Sequence, residues 1–273
     1  MTSCSVAQWR CLSERYLILG AGYVGARLAR LARERGHDVT VTTRSVERSA
    51  ELEQQGFQVV QASSLDAGIG RCVDEQTHVA VAFPADGVTD RVVAPALAGA
   101  ASVTYVSTTG VYDDTTGDID DTTPLPERPS ARSQRYLDAE ACYRAIGGTV
   151  LRCPAIYGPD RGLHVRITSG RHRIPGDGMR FISRIHADDL AELLYAARVV
   201  RSETFVVGDL EPTPHLEVVR FVCQTRGLPL PPFEPLQDAA ESLRADRRVR
   251  PERALARLGV SLRYPSYRQG MAP

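Results

Sequence analysis

Short apolar runs alternate with amphipathic stretches over the first half of the chain. The runs are Tyr16–Leu19, Val39–Thr43 (which alternates with the β-former threonine), Phe57–Val60, Val79–Phe83 and Val103–Val106. Their length and bounding polar residues predict strands. After the first run, Val24, Leu28, Leu31 and Ala32 recur at helical spacing, and Gly36 follows as a C-cap. Successive strands are separated by segments long enough to cross over, which predicts an α/β fold, a doubly wound parallel sheet covered on both faces. Beyond Val106 the pattern changes. A loop rich in Asp, Thr and Pro (113–129) precedes a helix at Arg132–Ala145, a strand at Thr149–Arg152 and an irregular Gly/Arg stretch from Gly158 to Arg184. Helices at Asp188–Val199 and His215–Arg226 follow, then a proline-rich turn at Leu228–Pro235.

Composition narrows the chemistry. With 273 residues, 43% of them hydrophobic, the chain suffices for one large domain, or one domain with an appended lobe. All 33 basic residues are arginine. The absence of lysine excludes Schiff-base, pyridoxal-phosphate and Walker-type phosphate-loop lysines, and a Tyr-x-x-x-Lys proton relay, because arginine does not replace a tunable ammonium. The six cysteines (Cys4, Cys11, Cys72, Cys142, Cys153, Cys223) form no Cys-x-x-Cys pair and read as reduced thiols, and the six histidines are scattered, so no metal site is expected. A net charge of zero argues against a nucleic-acid partner. No 18-residue apolar run occurs and the N-terminus MTSCSVAQWRCLSER lacks an apolar core, so the expectation is a soluble, cytoplasmic protein with no membrane partner.

Gly20-x-Gly22-x-x-Gly25 follows the first strand and opens the first helix, the context that gives this pattern meaning. The first glycine permits a tight turn, the second lets the backbone approach a pyrophosphate, and the third lets helix and strand pack closely. The anion then sits on the helix N-terminus. The second strand ends Thr43-Arg44-Ser45 with no carboxylate for a ribose 2′-hydroxyl, while Arg44 offers a guanidinium for a 2′-phosphate, so NADP(H) is favoured over NAD(H).

Four motifs then occur in order: Gly20-Ala21-Gly22-Tyr23-Val24-Gly25, Ser107-Thr108-Thr109-Gly110-Val111-Tyr112-Asp113, Leu151 to Pro159 (LRCPAIYGP) and Arg184-Ile185-His186-Ala187-Asp188-Asp189-Leu190-Ala191. The chain from about Arg15 onward resembles the NAD-dependent epimerase/dehydratase proteins, the extended and atypical short-chain dehydrogenases/reductases, and its closing Gly259-Val260, Tyr264-Pro265-Ser266-Tyr267 and Gly270 resemble the atypical branch. The resemblance implies a Rossmann core with a small C-terminal substrate lobe. We divide the chain into a leader (1–14), an NADP-binding core (15–157) and a mainly C-terminal lobe (158–273), with about 182–210 returning to the core. Expected cofactor contacts are Gly20, Gly22, Tyr23, Val24 and Gly25 in the turn, Arg44 and Ser45, Ser64 and Leu65 after the third strand, and Phe83, Pro84 and Pro154 at later strand ends.

The resemblance further implies that Thr108, with Thr109 beside it, polarises a substrate oxygen, a role that suits an uncharged donor. The family's Tyr-x-x-x-Lys pair is not intact. Counting from Tyr136 puts Glu140 at the lysine; aligning Glu140 with the glutamate found four residues after that lysine puts Arg132 at the tyrosine and Tyr136 at the lysine. Tyr112, Tyr136, Arg132, Arg135 and His186 are candidate replacements, and a neutral phenol of Tyr136 or Tyr112 can donate a proton to a developing alkoxide. Arg161 to Arg184 holds six arginines and one acid, Asp177, so Arg166 and Arg173, with Thr109, are expected to meet an anionic substrate; the acidic loop Asp113, Asp114, Asp118, Asp120 and Asp121 is the competing partner for these arginines. Three functions stay open: an NADP(H)-dependent oxidoreductase (reductase or epimerase-like) on a small carbonyl compound, a non-catalytic NADP(H)-binding sensor, and a non-redox enzyme of elimination or cyclisation. A monomer or homodimer fits each.

Overall fold

The computed structural model describes residues 14–273, so residues 1–13 of the leader, with Cys4, Trp9 and Cys11, lie outside the described residues. Strands β1 (Arg15–Leu19), β2 (Asp38–Thr43), β3 (Gln58–Gln61), β4 (Thr77–Val81) and β5 (Ser102–Thr108) alternate with helices α1 (Gly25–Glu34), α2 (Val46–Gln54) and α3 (Thr89–Ala96). The chain continues through β6 (Gly117–Ile119), α4 (Ala131–Ala145), β7 (Thr149–Cys153), β8 (Ala155–Tyr157), α5 (Leu163–Thr168), β9 (Ile174–Pro175), β10 (Arg184–His186) and α6 (Ala187–Ala196). It ends with β11 (Thr204–Val206), α7 (His215–Arg226), β12 (Phe233–Glu234), β13 (Arg247–Val249), α8 (Glu252–Leu258) and α9 (Tyr267–Gly270).

The main sheet has seven strands in the order β11-β7-β5-β4-β1-β2-β3, every pair parallel. This is the doubly wound Rossmann arrangement. The chain runs outward from β1 through β2 to β3 and returns to lay β4 on the other side of β1, so the crevice for a ligand opens at the C-terminal ends of β1 and β4. The pleat explains why the strands read as continuous apolar runs: Tyr16 and Ile18 of β1 pack beneath α1 and α6 with Leu28, Ala29, Leu190 and Leu194, while Leu17 and Leu19 face α3 and α4 with Val93, Leu97 and Tyr143. Gly36 ends α1 in a left-handed conformation (φ 86°), donating to the Arg33 carbonyl while His37 donates to that of Ala32, a Schellman motif one residue beyond the C-cap Arg35.

Two features differ from the sequence reading. β11 has only three residues and too little apolar pattern to stand out, yet it completes the sheet edge by pairing Thr204–Val206 with Val150–Arg152. The stretch from Gly158 to Arg184 contains α5, β9 and the start of β10, elements too short to show a period. α5 and α7 enclose a second core of Leu163, Ile167, Ile174, Val219, Val222 and Tyr267. His186 accepts from the N–H of Asp188 at 3.2 Å and stacks on Tyr264 at 3.8 Å, while Asp189 accepts from the N–H groups of Arg263 and Tyr264. The turn into α6 thereby fastens the C-terminal tail to the sheet. None of the described helices is long and apolar enough to cross a membrane.

Candidate active site

The glycine-rich turn sits over the crevice. Gly20 has φ 95° and no room for a side chain, since a Cβ there would stand 3.1 Å from the N of Phe83 after β4. A Cβ on Gly25 would collide with the Gly20 carbonyl oxygen, whereas Gly22 faces open space with nothing within 4 Å. Gly20 and Gly25 are thus required by the turn itself, and Gly22 leaves a cradle over which a ligand can lie. No side chain caps α1, so its N-terminal dipole is left for an anion. Tyr23 leans over the other wall and donates to Asp160 at 2.7 Å, its ring admitted because residue 158 is glycine, where a Cβ would meet the phenol oxygen. Burial, with the bond to Asp160, raises the Tyr23 pKa to about 12.

At the end of β2, Arg44 is exposed and has no carboxylate partner among the described residues, whereas Arg48 is paired with Glu51 at 2.6 Å. Ser45 caps α2 by accepting from the N–H of Arg48 and donates to Glu47. Ser64 and Leu65 lie beyond β3, near the same edge but outside the main cleft, which Tyr23, Val24, Phe83, Pro84 and Pro154 line.

That cleft has a volume of about 1220 Å³ and runs between the sheet edge and the C-terminal lobe. Thr108, Thr109 and Tyr136 open onto it. The Thr108 Oγ1 accepts from the N–H of Gly110 at 2.9 Å, and its own proton engages no described residue. The Tyr136 phenol likewise has no hydrogen-bond partner among the described residues and is half-buried over the cleft. Arg132, one turn earlier on α4, reaches the same space and pairs with Glu241 of the opposite lobe at 3.2 Å.

Tyr112 is set aside by the structure. It is fully buried and off the cleft, donating to the Asp120 carbonyl and accepting from Arg152 Nη1 at 3.0 Å, so it cannot touch a substrate there. Burial raises its pKa, against the Arg152 charge. Glu140 is also fully buried: it accepts from Arg152 Nε at 3.0 Å, from Arg152 Nη2 at 2.7 Å and from Ser107 Oγ at 2.6 Å. A residue so enclosed cannot stand where an ammonium would meet a cofactor ribose. Arg135 extends beside Gly87, away from the cleft lining.

Asp118 pairs with Arg248 and Arg250, Asp121 with Arg253, and the Asp113 carbonyl accepts from Arg247. The acidic loop is therefore engaged by arginines from beyond residue 240 and leaves Arg166, Arg180 and Arg184 on the cleft without a carboxylate in ion-pair reach among the described residues. Arg173 is not among the residues lining the cleft; with His172 and Asp238 it lines a neighbouring recess whose wall Arg166 shares with the cleft. Sequence reasoning did not single out Arg184 or the contact between His172 and His215, residues 43 positions apart that come together at 3.0 Å.

A family model described as NAD(P)H-binding matches residues 20–198, which include the glycine turn and α6. The chain belongs to this NAD(P)H-binding family. Among solved structures it is similar to a functionally unknown conserved protein from Silicibacter pomeroyi DSS (29% identity, TM-score 0.81, covering 95% of this chain and 97% of that one). It is also similar to a protein from Methylobacillus flagellatus described provisionally as an NAD-dependent epimerase/dehydratase (27% identity, TM-score 0.73, 94% and 96% covered). The human epimerase family protein SDR39U1, solved with NADPH, shares the fold at 19% identity and TM-score 0.72, with 94% and 97% covered. No curated protein matches the chain. As a member of an NAD(P)H-binding family with epimerase/dehydratase-like neighbours, the chain has in its glycine turn, open at Gly22, a cradle that fits such a nucleotide.

Proposed function

We propose that the protein is an NADP(H)-dependent oxidoreductase that reduces a small carbonyl compound bearing an anionic group. The observation that carries this reading is the opening of the glycine turn onto a cleft where Thr108 and Tyr136 present hydroxyls with no acceptor among the described residues. Arg44, exposed and without a carboxylate partner, is the residue to grip a 2′-phosphate, and Ser45 supplies a neighbouring hydroxyl. Ser64 and Leu65 would flank the adenine side, and Tyr23, Val24, Phe83, Pro84 and Pro154 the nicotinamide side.

Held by the glycine turn, Arg44 and Ser45, NADPH would supply the hydride for the carbonyl carbon. Thr108 donates a hydrogen bond to the carbonyl oxygen, held in position by the Gly110 N–H, and so stabilises charge as it develops. Tyr136 transfers its phenolic proton to that oxygen, completing the alcohol, and bulk water reprotonates it. Thr109 and Arg166 line the substrate's end of the cleft. With Glu140 buried, Arg132 and Tyr136 occupy the places of the family's tyrosine and lysine, and Arg132 adds fixed positive charge beside the developing alkoxide.

Calorimetric titration with NADPH and NADH tests the cofactor reading. Wild type is expected to prefer NADPH, and Arg44→Ala to weaken NADPH by about 1–3 kcal/mol while leaving NADH unchanged. Equal binding of both nucleotides by wild type would refute the preference. Absorbance at 340 nm with a panel of carbonyl acids then tests turnover, and product formation without nucleotide oxidation would favour the non-redox alternative.

A further inference from the structure

Arg184 enters β10 as a residue only 4% exposed, yet it lines the cleft. Its hydrogen-bond partner is not a carboxylate but an imidazole: Nη2 lies 3.3 Å from His215 Nδ1. A guanidinium has no acceptor, so His215 Nδ1 accepts and the His215 proton sits on Nε2. That proton is donated to His172 Nε2 at 3.0 Å, which places the His172 proton on Nδ1. The three side chains form a one-way chain of donors. Burial and the neighbouring arginine charges lower the pKa of His215 to about 2 and that of His172 to about 4, so both are neutral near pH 7.

The chain orients Arg184 without cancelling its charge. Of the other groups whose charges act on it, Tyr157 and Tyr267 are neutral phenols, Arg166 adds a second positive charge, and Asp209 is a buried carboxyl with no atom in ion-pair reach. Burial raises the Asp209 pKa to about 7, so it compensates Arg184 only in part near neutrality. A buried cation held by neutral acceptors is costly in the empty protein, and an anion in the cleft offsets that cost.

We propose that Arg184, oriented by the His215–His172 pair, forms with Arg166 an oxyanion subsite that binds the carboxylate or phosphate of the substrate. The subsite rests on the reading of the cleft as the substrate's, and it replaces Arg173 with Arg184 as the second anchor. Arg166 is exposed on the same wall, so it captures the anion at the mouth while Arg184 holds it at depth.

Calorimetric titration of the full-length protein with inorganic phosphate, and separately with acetate, in chloride-free buffer at pH 7 tests the subsite. Saturable binding of phosphate or acetate is expected, and the anion that binds more tightly identifies the substrate group. Arg184→Gln should weaken the anion roughly tenfold or more, the scale of a lost charged hydrogen bond. Arg166→Glu, on an exposed side chain, should weaken it as much. No saturable binding to wild type, or wild-type affinity in Arg166→Glu, overturns the proposal. NADPH titrated into the same samples keeps the two readings apart: anion binding lost with Arg166→Glu in a protein that ignores NADPH refutes the cofactor assignment and leaves the subsite standing.

Discussion

Restoring a lysine four residues after Tyr136 separates the two registers of α4. If Glu140 stood at the family's lysine, Glu140→Lys would complete the motif and raise activity. The structure predicts collapse instead. Glu140 makes two bonds to Arg152 and one to Ser107, and Arg152 is itself 4% exposed, so the substitution removes the partner of a buried guanidinium. Losing one member of a buried pair costs about 3–5 kcal/mol. At the 3.0 Å separation seen here, an ammonium facing Arg152 adds repulsion of about 5 kcal/mol at an effective dielectric of 20. Together these approach the whole stability of a typical domain, about 5–15 kcal/mol. Glu140→Gln, which keeps the shape but not the charge, should lose about 3 kcal/mol and lower Tm by roughly 6–12 °C. Circular-dichroism melts of both variants beside wild type measure this. A Glu140→Lys protein that melts with wild type and turns over faster would refute the register and the assignment of Arg132 and Tyr136 that follows from it.

Three further outcomes are expected. Gly25→Ala should lose nucleotide binding and stability together, because its Cβ collides with the Gly20 carbonyl, whereas Gly22→Ala, facing open space, should melt like wild type yet bind NADPH roughly tenfold more weakly by titration; unchanged binding would mean that nothing approaches Gly22. Above its ordinary value of 3.8 the unfolded chain releases the Asp209 proton while the folded protein keeps it up to about 7, so stability should fall through that window by up to about 4 kcal/mol and stay low above it. Urea titrations from pH 4 to 8 should show that fall flattened in Asp209→Asn, and an equal slope in both proteins would contradict it. Arg132→Tyr with Tyr136→Lys rebuilds the family's pair in the register favoured here, and should lower the pH at which alcohol oxidation sets in, since an ammonium stabilises the tyrosinate; a pH–rate profile reads the shift.

The sheet was legible because its strands are buried on both faces: Leu17 and Leu19 need apolar neighbours as much as Tyr16 and Ile18 do, and the resulting runs stand out against any amphipathic helix. The glycine turn was legible for a different reason, since steric demands at Gly20 and Gly25 admit no other residue. What stayed hidden depends on tertiary contacts. Tyr112 stands in the same motif as Thr108, yet its short turn points it inward onto Arg152, a contact across 40 residues that no local pattern encodes. The competition of the acidic loop for the arginines of 161–184 could not be decided from charge counts, because its resolution lies in β6 pairing with β13, which brings Arg248 and Arg250 to Asp118. His172 and His215 carry no mutual signal in a chain where histidines are scattered.

A chain without lysine also constrains how its site can respond to protons. Arg132, Arg166, Arg180 and Arg184 line the cleft, and guanidinium groups stay charged across the working range, so none of them serves as a proton reservoir. A tyrosinate base needs a nearby unpaired cation, and Arg132, the one placed a single turn before Tyr136, already faces Glu241 at 3.2 Å. Donation from a neutral phenol needs no such help. The proposed reduction of an anionic carbonyl compound is therefore the direction of chemistry that a cleft lined by arginine rather than lysine suits, and the identity of the cations matters to it more than their number.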